Sequence, residues 1–356
     1  MVDLSVWAAH TPHARTPNVV GRSVLPAFRL GVGLAALGRP GYIDLGRGRD
    51  LPADRTPEAM YAQSAAVLDA ARAAGVRYFD VARSYGRAEE FLARWLAERA
   101  VPRTAAVVGS KWGYRYTAGW RVDAPVHEEK DLSVERFASQ LPETRALLGA
   151  WLDLYQIHSA TAESGSLEDA RLLRALVDGR RAGAYRAVGL TLSGPGSART
   201  LELARRARVD GEPVFDVVQA TFNCLEPSLA GELAAAHDAG MGVIAKEVFA
   251  NGRLTDTNQR PEDRASIARL RALGAARGMA IDQLALAFVL AHPFVDVALS
   301  GAATPAQLMS HAAVVGAAPN APGARASVDA EARAALATLV EAPRDYWATR
   351  SRLAWT

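Results

Sequence analysis

Cysteine and long apolar runs are scarce in this 356-residue chain, and each shortage excludes a class of protein. The single cysteine, Cys224, excludes an internal disulfide and a cysteine-rich metal site, so no metal is expected. No apolar run reaches the roughly 18 residues that a membrane-spanning helix needs, so no membrane association is expected. The N-terminus also lacks the basic and then apolar pattern of a secretory signal, which indicates a cytoplasmic protein.

Lysine is the next scarce residue, although the chain is basic overall. Only Lys111, Lys130 and Lys246 stand among 41 lysine and arginine residues, against 38 acidic ones. The basic residues are interspersed with acids and form no long run, which is typical of a solvated surface and predicts no nucleic-acid binding. A lysine among apolar residues in such a chain is therefore a candidate functional group.

Short apolar segments alternate with helical patterns along most of the chain. We predict eight strands, at 29–38 (ending in a glycine-rich turn), 78–82, 105–110, 152–158, 187–192, 215–222, 242–248 and 295–300. Their nearly continuous hydrophobicity is expected of a parallel sheet that is covered on both faces. Eight strand–helix units predict an α/β fold, a (β/α)8 TIM barrel with long strand-end loops and an extra C-terminal helix near 327–341.

A doubly wound sheet is the alternative to the barrel. The segment from Gly31 to Gly38 has no GxGxxG spacing and no helix directly after it, which disfavours that fold. No repeat, low-complexity tract or linker divides the chain, so we predict an N-terminal extension at 1–27 and a single barrel domain at 28–356. A helix at 132–148 is expected to be interrupted near Pro142.

Polar side chains stand at the carboxyl ends of the predicted strands, where a barrel builds its active site. They are Asp80 with Tyr85 beyond it, Lys111, His158, Thr191, Gln219, Asn223, Lys246 and Glu247. Lys111 close to Asp80 is expected to stay charged and to lower the pKa of Tyr85 from its usual value of about 10. Tyr85 can then act as general acid toward a carbonyl oxygen, and as general base in reverse, while a neutral His158 orients that oxygen. Hydride transfer to the carbon requires a cofactor.

Asp80, Tyr85, Lys111 and His158 resemble the catalytic tetrad of the aldo-keto reductases, in the family's order and on the expected strands. Blocks between about residues 30 and 315 are also similar to the family, among them FDVARSYGRAEEFL, LDLYQIHSA and GVIAKEVFANGRL. The chain is therefore identified as a member of this family, of the bacterial type. The resemblance implies an NAD(P)(H)-dependent oxidoreductase that reduces a small aldehyde or ketone to an alcohol. It equally allows the reverse reaction, such as oxidation of an aldose or a sugar alcohol.

The resemblance also implies a cofactor site that lies across the strand ends without a Rossmann motif. Its residues would be Gly33, Leu34, Asp80, Thr191, Gln219, Lys246, Glu247, Phe249, Asn251, Arg253, Gly301, Gln307 and His311. Among them, Thr191 and Gln219 would hold the nicotinamide carboxamide, the loop at 249–254 would wrap the pyrophosphate, and the last three would contact the adenosine half. The family slightly favours NADP(H), but the lack of lysine or arginine between Ser300 and Gln307 lets NAD(H) compete.

Two positions depart from the family pattern. Lys246 stands where the family usually has a tyrosine that stacks on the nicotinamide. A cation there would disfavour the positively charged oxidised ring, unless Glu247 neutralises it. Thr191-Leu192 replaces a Ser-Asn pair, which removes one carboxamide contact.

The loop at 112–131 is aromatic and basic, and loops at the top of a barrel form substrate walls. Trp112 is expected beside Tyr85. The predicted substrate contacts are Tyr85, Trp112, Tyr114, Tyr116, Trp120 and His158, with His127 as a further lid candidate. Alternatively, these aromatic residues only anchor a long loop on the barrel. Aromatic faces with arginine would suit a sugar-like or aryl substrate, including one that carries an acid.

Two other functions stay open at this point. One is a barrel that binds the cofactor with little turnover, as a redox sensor or partner-binding subunit, although a pure binder has no need of Asp80, Tyr85 and Lys111. The other is a non-barrel α/β hydrolase, which the missing G-x-S-x-G motif disfavours. The sequence does not distinguish a monomer from a homo-oligomer.

Overall fold

The computed structural model describes residues 19–316 and 328–356, so residues 1–18 of the predicted N-terminal extension lie outside the described residues. Eight parallel strands close into a barrel, and the last strand pairs with the first. They are β1 (Leu30–Gly33), β2 (Tyr78–Asp80), β3 (Val107–Trp112), β4 (Leu152–Ala160), β5 (Ala187–Leu192), β6 (Val217–Thr221), β7 (Gly242–Lys246) and β8 (Val297–Ser300). The predicted (β/α)8 barrel is therefore confirmed.

Eleven α-helices lie within residues 19–316 and 328–356, and most of them cover the outside of this barrel because they present an apolar face to the strands. They are α1 (Pro57–Ala73), α2 (Ala88–Glu98), α3 (Val134–Leu148), α4 (Ala170–Arg181), α5 (Ser197–Arg206), α6 (Ala230–Asp238), α7 (Arg264–Ala275), α8 (Ile281–Leu290), α9 (Pro305–Val315), α10 (Ala330–Ala337) and α11 (Pro343–Ser351). Across 19–316 and 328–356, none of the helices combines the length and apolar character that crossing a membrane requires.

Two helical predictions need correction. The helix α3 continues through Pro142, because packing of buried Phe137, Thr144 and Leu148 on one face outweighs one lost amide hydrogen bond. The extra C-terminal helix predicted near 327–341 is present as α10, but a further helix, α11, follows it and was missed.

A turn at residues 19–28 closes the N-terminal end of the barrel. Val20 and Leu25 are buried there and belong to one cluster with the strand residues Tyr78 and Leu154. Gly21 has a φ of +58°, and a Cβ at this position would lie 2.0 Å from the backbone nitrogen of Gly242. Only glycine fits so close an approach.

Two segments that the sequence did not predict as ordered elements lie over the opposite end of the barrel. The first is the front hairpin (residues 114–130), in which Tyr114–Tyr116 pairs antiparallel with Glu128–Lys130. The second is the C-terminal segment (residues 343–356), which consists of α11 and a tail whose Trp355 forms a bridge with Ile43. Both segments stand at the carboxyl ends of the strands.

Candidate active site

The floor of the site is a buried ion pair at the ends of β2 and β3. The Lys111 ammonium group pairs with the Asp80 carboxylate and also donates to the Val81 carbonyl oxygen at 2.9 Å. Gln219 on β6 donates to the second Asp80 oxygen at 2.9 Å. Two buried charges are tolerated only when such additional hydrogen bonds satisfy them. The pair is therefore held in place by three strands.

Tyr85 and His158 lie next to this ion pair. The Tyr85 hydroxyl is 3.4 Å from His158 Nε2, and the Lys111 nitrogen is 4.7 Å from the centre of the Tyr85 ring. His158 Nδ1 lies 3.5 Å from the Ser84 hydroxyl. The structure thus brings together Asp80, Tyr85, Lys111 and His158, the residues predicted to be catalytic.

The electrostatics agree with one expectation and correct another. Burial, followed by the nearby Lys111 charge, lowers the pKa of His158 well below its usual value, so the imidazole is neutral as expected. The pKa of Tyr85, which was expected to fall, is instead raised well above its usual value, first by burial and then by the Asp80 carboxylate. The physical reason is that burial disfavours the charged phenolate, and that the Asp80 carboxylate offsets the Lys111 charge that was expected to favour it.

A cavity of about 240 Å³ opens above these groups. The predicted site residues that line it are Gly33, Asp80, Tyr85, Tyr114, His158, Gln219, Lys246, Glu247, Phe249, Asn251 and Gly301. The lining residues that the sequence analysis missed include Arg39, Tyr42, Glu128, Arg350 and Trp355. The one available signal was the clustering of Tyr346, Trp347 and Trp355 in the last 11 residues of a chain with 7% aromatic residues.

A second cavity of about 260 Å³ continues the first, since both are lined by Asp44, Phe249, Gly252 and Gly301. The predicted adenosine contacts Gly301, Gln307 and His311 line it, and the rings of Phe249 and His311 stack with their centres 4.3 Å apart. Together the two cavities form one elongated cleft across the strand ends.

Two features of this cleft suit an extended polar ligand such as a dinucleotide. Asn251 Oδ1 is buried without a hydrogen-bond partner in the described chain, although Asn251 lines the first cavity. A buried polar atom of this kind is costly unless a ligand satisfies it. A Cβ built on Gly301 would meet nothing within 4 Å, so the backbone there is open to a close approach.

The loop after β7 has an unusual backbone. Glu247, Ala250, Asn251 and Gly252 have φ values of 53°, 47°, 54° and 84°, in the left-handed region that non-glycine residues rarely adopt. Hydrogen bonds hold it: Ala250 N donates to Glu247 O at 2.8 Å, and Asn251 Nδ2 donates to Ile43 O at 2.8 Å. The loop therefore has a fixed shape in the cleft.

Three of the predicted cofactor residues do not line the cleft. Arg253 is buried and paired with Asp263 at 2.7 Å and with Glu341, so it is part of an ion-pair cluster and is not free to bind pyrophosphate. Thr191 is buried, and its hydroxyl accepts a hydrogen bond from the Ser159 amide at 2.7 Å. Leu34 is buried in the core, and neither it nor the other two lines the cleft.

Lys246 and Glu247 lie side by side at the end of β7. Lys246 Nζ donates to the Thr221 hydroxyl at 2.8 Å and lies 3.8 Å from Glu247, which also accepts from Arg350 Nε at 2.8 Å. Burial lowers the pKa of Lys246 to about 8, against the opposing effect of Glu247. Burial would raise the pKa of Glu247, but Arg350 and Lys246 outweigh it and lower the value to about 2.

The aromatic substrate loop is mostly not in the cavity. Trp112 follows Lys111 on β3, so its side chain points to the opposite face, where it is fully buried against Phe137 at 5.2 Å between ring centres. The expectation that it lies beside Tyr85 is therefore wrong.

Of the other aromatic residues of this loop, some anchor it on the barrel and one lines the cavity. Trp120 donates to the Arg55 carbonyl oxygen at 2.8 Å, and neither Trp120 nor Tyr116 lines the cleft, which matches the alternative that they anchor the loop. Tyr114 lines the cavity with its ring centre 4.9 Å from that of His158. His127 stacks on Trp355 with ring centres 3.8 Å apart.

Comparisons with known proteins agree with this geometry. The family model described as the aldo/keto reductase family matches residues 30–318. A D-threo-aldose 1-dehydrogenase from a Pseudomonas species is 27% identical over 275 residues, which cover 69% of this chain and 81% of that protein.

Two solved structures share the fold. An aldo-keto reductase from Bacillus halodurans, in its holo form, aligns with a TM-score of 0.67 at 20% identity, covering 90% of this chain and 95% of its own. A candidate aldo-keto reductase from Pseudomonas aeruginosa aligns with a TM-score of 0.59 at 22% identity, covering 85% of this chain and 94% of its own.

Proposed function

The chain belongs to the aldo/keto reductase family and is an oxidoreductase. From this premise we propose that it interconverts a small carbonyl compound and an alcohol, with Tyr85 as the proton-transfer residue. The observation that carries the proposal is the Tyr85 hydroxyl beside His158 Nε2 and above the Asp80–Lys111 ion pair. The relative named D-threo-aldose 1-dehydrogenase supports including the oxidation of an aldose among the candidate reactions.

In the direction of reduction, Tyr85 gives its proton to the carbonyl oxygen. Its raised pKa keeps the phenol protonated at neutral pH, so the acid form is always available. Neutral His158, with its proton on Nε2, donates a hydrogen bond to the same carbonyl oxygen and fixes its position. A bound nicotinamide supplies or accepts the hydride. In the direction of oxidation, Tyr85 must act as a base, so the reaction is expected to accelerate as the pH rises.

The cofactor would lie along the cleft. Gln219, Lys246 and Phe249 line its first cavity, whereas Gln307 and His311 line the second. Gln219 has its amide nitrogen engaged by Asp80, which leaves its side-chain oxygen as the acceptor for a carboxamide.

The second cavity argues for NAD(H), against the slight expectation of NADP(H). Four carboxylates line it, from Asp44, Asp50, Asp256 and Asp282, and among the described residues no lysine or arginine does. A 2′-phosphate carries about two negative charges and would be repelled, whereas carboxylates accept hydrogen bonds from ribose hydroxyls. We expect NADH to bind at least about tenfold more tightly than NADPH, which corresponds to about 1.4 kcal/mol.

Fluorescence titration of both cofactors measures this preference. Arg271 pairs with Asp256 at 2.9 Å, so Asp256→Ser should leave the Arg271 guanidinium group available to bind a 2′-phosphate. The difference in affinity between NADH and NADPH should then become smaller. Equal or tighter binding of NADPH by the unaltered protein would contradict the preference for NAD(H).

The central test is Tyr85→Phe with a panel of aldehydes, ketones and sugars. We expect kcat to fall by about 10²–10⁴-fold while the Kd of NADH stays the same, because only the proton donor is lost. The matched control is Tyr116→Phe, since Tyr116 is on the neighbouring front hairpin and lines neither cavity of the cleft. Turnover by Tyr85→Phe at the unaltered rate would refute the mechanism.

The same panel separates the rival functions. If the unaltered protein binds NADH but turns over none of the compounds, the cofactor-binding barrel with little turnover becomes the better description. The cytoplasmic location expected from the sequence remains a proposal, which fractionation of cells that express the protein would test.

A further inference from the structure

Arg39 is a buried guanidinium group at the edge of the cavity. Its side chain is 2% exposed, and its Nη1 donates to Glu128 Oε1 at 2.5 Å and to the Ser84 carbonyl oxygen at 3.1 Å. Its Nε donates to the Ala35 carbonyl oxygen at 3.1 Å. These bonds fix the guanidinium group in one orientation, and they join the loop after β1 to the front hairpin.

Three aromatic rings surround this cation. The guanidinium carbon lies 4.9 Å from the ring centre of Tyr42, 5.1 Å from that of Tyr85 and 5.0 Å from that of Trp355. Trp355 is held in turn by the stacked His127 ring. The cation therefore contacts both the proton-transfer tyrosine and the wall that the C-terminal segment supplies.

Glu128 presents a carboxylate to the same space. It lines the cavity, its side chain is 20% exposed, and the bond to Arg39 engages only Oε1. A buried ion pair is a weak source of stability, because two charges must be removed from water. Its place at a cavity, with one carboxylate oxygen left to accept hydrogen bonds, suits the recognition of a polar ligand.

The charges of the cavity decide what kind of polar ligand fits. Arg39 is paired with Glu128, Arg350 and Lys246 share Glu247, Lys111 at the floor is paired with Asp80, and Asp44 adds a fourth carboxylate to the lining. The cavity therefore offers paired charges rather than an excess of positive charge. Because four cations face four carboxylates, an acidic substrate meets no excess of positive charge there, and an aryl aldehyde would leave the ion pair desolvated without new hydrogen bonds. A neutral compound with several hydroxyl groups can donate to Glu128 and accept from Arg39.

We propose that Glu128 and Arg39 form a hydroxyl-binding subsite, with Trp355 as its apolar wall, that selects a neutral polyhydroxylated aldehyde or its cyclic hemiacetal as substrate. The inference rests on the proposed function, since it names the substrate class for the same site. In the oxidative direction, Tyr85 first loses its proton to solvent, and the hemiacetal carbon would then give a hydride to a bound oxidised nicotinamide while its hydroxyl gives its proton to the Tyr85 phenolate. The new carbon–oxygen double bond completes a lactone, and Tyr85 is left protonated.

The decisive variant is Glu128→Gln, which keeps the shape of the side chain and removes its charge. The substrates are a panel of aldopentoses and aldohexoses, a uronic acid as the acidic counterpart, and propanal and benzaldehyde as carbonyl compounds that lack hydroxyl groups. We expect the unaltered protein to prefer an aldose. Glu128→Gln should lower kcat/KM for that aldose by about 10²-fold, mainly through KM, because hydrogen bonds to a charged group are lost. Turnover of propanal should change less than about threefold.

The matched control is Glu129→Gln on the same strand, whose carboxylate is exposed and pairs with Arg115 outside the cavity. It should leave both substrates unaffected, and Glu128→Asp should restore part of the aldose activity. Calorimetric binding of the aldose to Tyr85→Phe, with and without Glu128→Gln, gives a readout that does not depend on turnover. The thermal midpoint of each variant shows whether it is folded.

The outcomes distinguish a failure of the hydroxyl-binding subsite from a failure of the proposed function. A preference for propanal, benzaldehyde or a uronic acid over every neutral aldose would overturn the subsite, and so would an equal loss of aldose and propanal turnover in Glu128→Gln. Either result leaves the proposed function standing as long as Tyr85→Phe abolishes turnover. If Tyr85→Phe is harmless, the proposed function itself fails.

Discussion

The floor of the cavity is built from the ends of neighbouring strands, whereas its wall is built from irregular segments that are far apart in the chain. Asp80, Lys111 and Gln219 stand on β2, β3 and β6 and are fixed by the hydrogen bonds of the barrel. Arg39 and Glu128 are 89 residues apart, and Trp355 reaches Ile43 from the other end of the chain. The comparison indicates that the reaction depends on the barrel, while the choice of substrate depends on segments that can vary without changing the barrel.

The largest effect is expected from a substitution in the ion pair at the floor of the cavity. In Lys111→Met, the Asp80 carboxylate stays buried without its cation, so we expect the free energy of unfolding to fall by about 3–5 kcal/mol. Urea denaturation measures the loss. The control, Lys130→Met, removes an exposed lysine of the front hairpin with its hydrogen bond to the Ser159 carbonyl oxygen, and should change stability by less than about 1.5 kcal/mol. Equal effects of the two variants would show that the floor ion pair has no special structural importance.

A smaller effect is expected at the wall. Trp355→Ala removes the ring that stacks on His127 and contacts Arg39, so KM for the preferred substrate should rise about tenfold, or about 1.4 kcal/mol, while kcat changes little. The control is Trp151→Ala, directly before β4 at the opposite end of the barrel, where Arg103 stacks on the ring. It should cost stability and leave KM unchanged. A fall in kcat for Trp355→Ala with KM unchanged would contradict the separation of wall and floor.

The smallest predicted effect concerns Lys246, which lies between the two regions. Its pKa of about 8 means that it is charged at pH 7 and mostly neutral at pH 9. A cation beside the nicotinamide disfavours the oxidised ring, so the affinity for NAD⁺ relative to NADH should improve about fivefold, or about 1 kcal/mol, as the pH rises. Titration of both cofactors at the two pH values measures it. Lys246→Met should bind NAD⁺ and NADH with a ratio that no longer depends on pH, and a persistent pH dependence would assign the effect to another group.

Sequence patterns predicted the floor well because its positions depend on local rules. A parallel barrel strand ends at a known edge, so Asp80, Lys111, His158 and Gln219 could be placed there from the order of residues alone. The same rule could have corrected one error: adjacent strand residues point to opposite faces, so Trp112 cannot accompany Lys111 into the barrel.

The wall was not predictable because its contacts depend on tertiary structure alone. Nothing local to Arg39 indicates that Glu128 will neutralise it. Similarly, Arg253 has its partner Glu341 at a distance of 88 residues, so its loss as a cofactor ligand could not be foreseen. The raised pKa of Tyr85 belongs to the same class, since it results from burial and from the charge balance between Asp80 and Lys111.

The left-handed backbone of the loop at 247–252 has a consequence for binding thermodynamics. Each non-glycine residue in that conformation costs roughly 1–2 kcal/mol. The hydrogen bonds to residues 43 and 45 offset this free energy when the chain folds, before any dinucleotide binds. The loop is thus preorganised, and association loses little conformational entropy there. The affinity for the cofactor is then determined mainly by contacts and charge, which makes the aspartates of the second cavity a direct means of adjusting it.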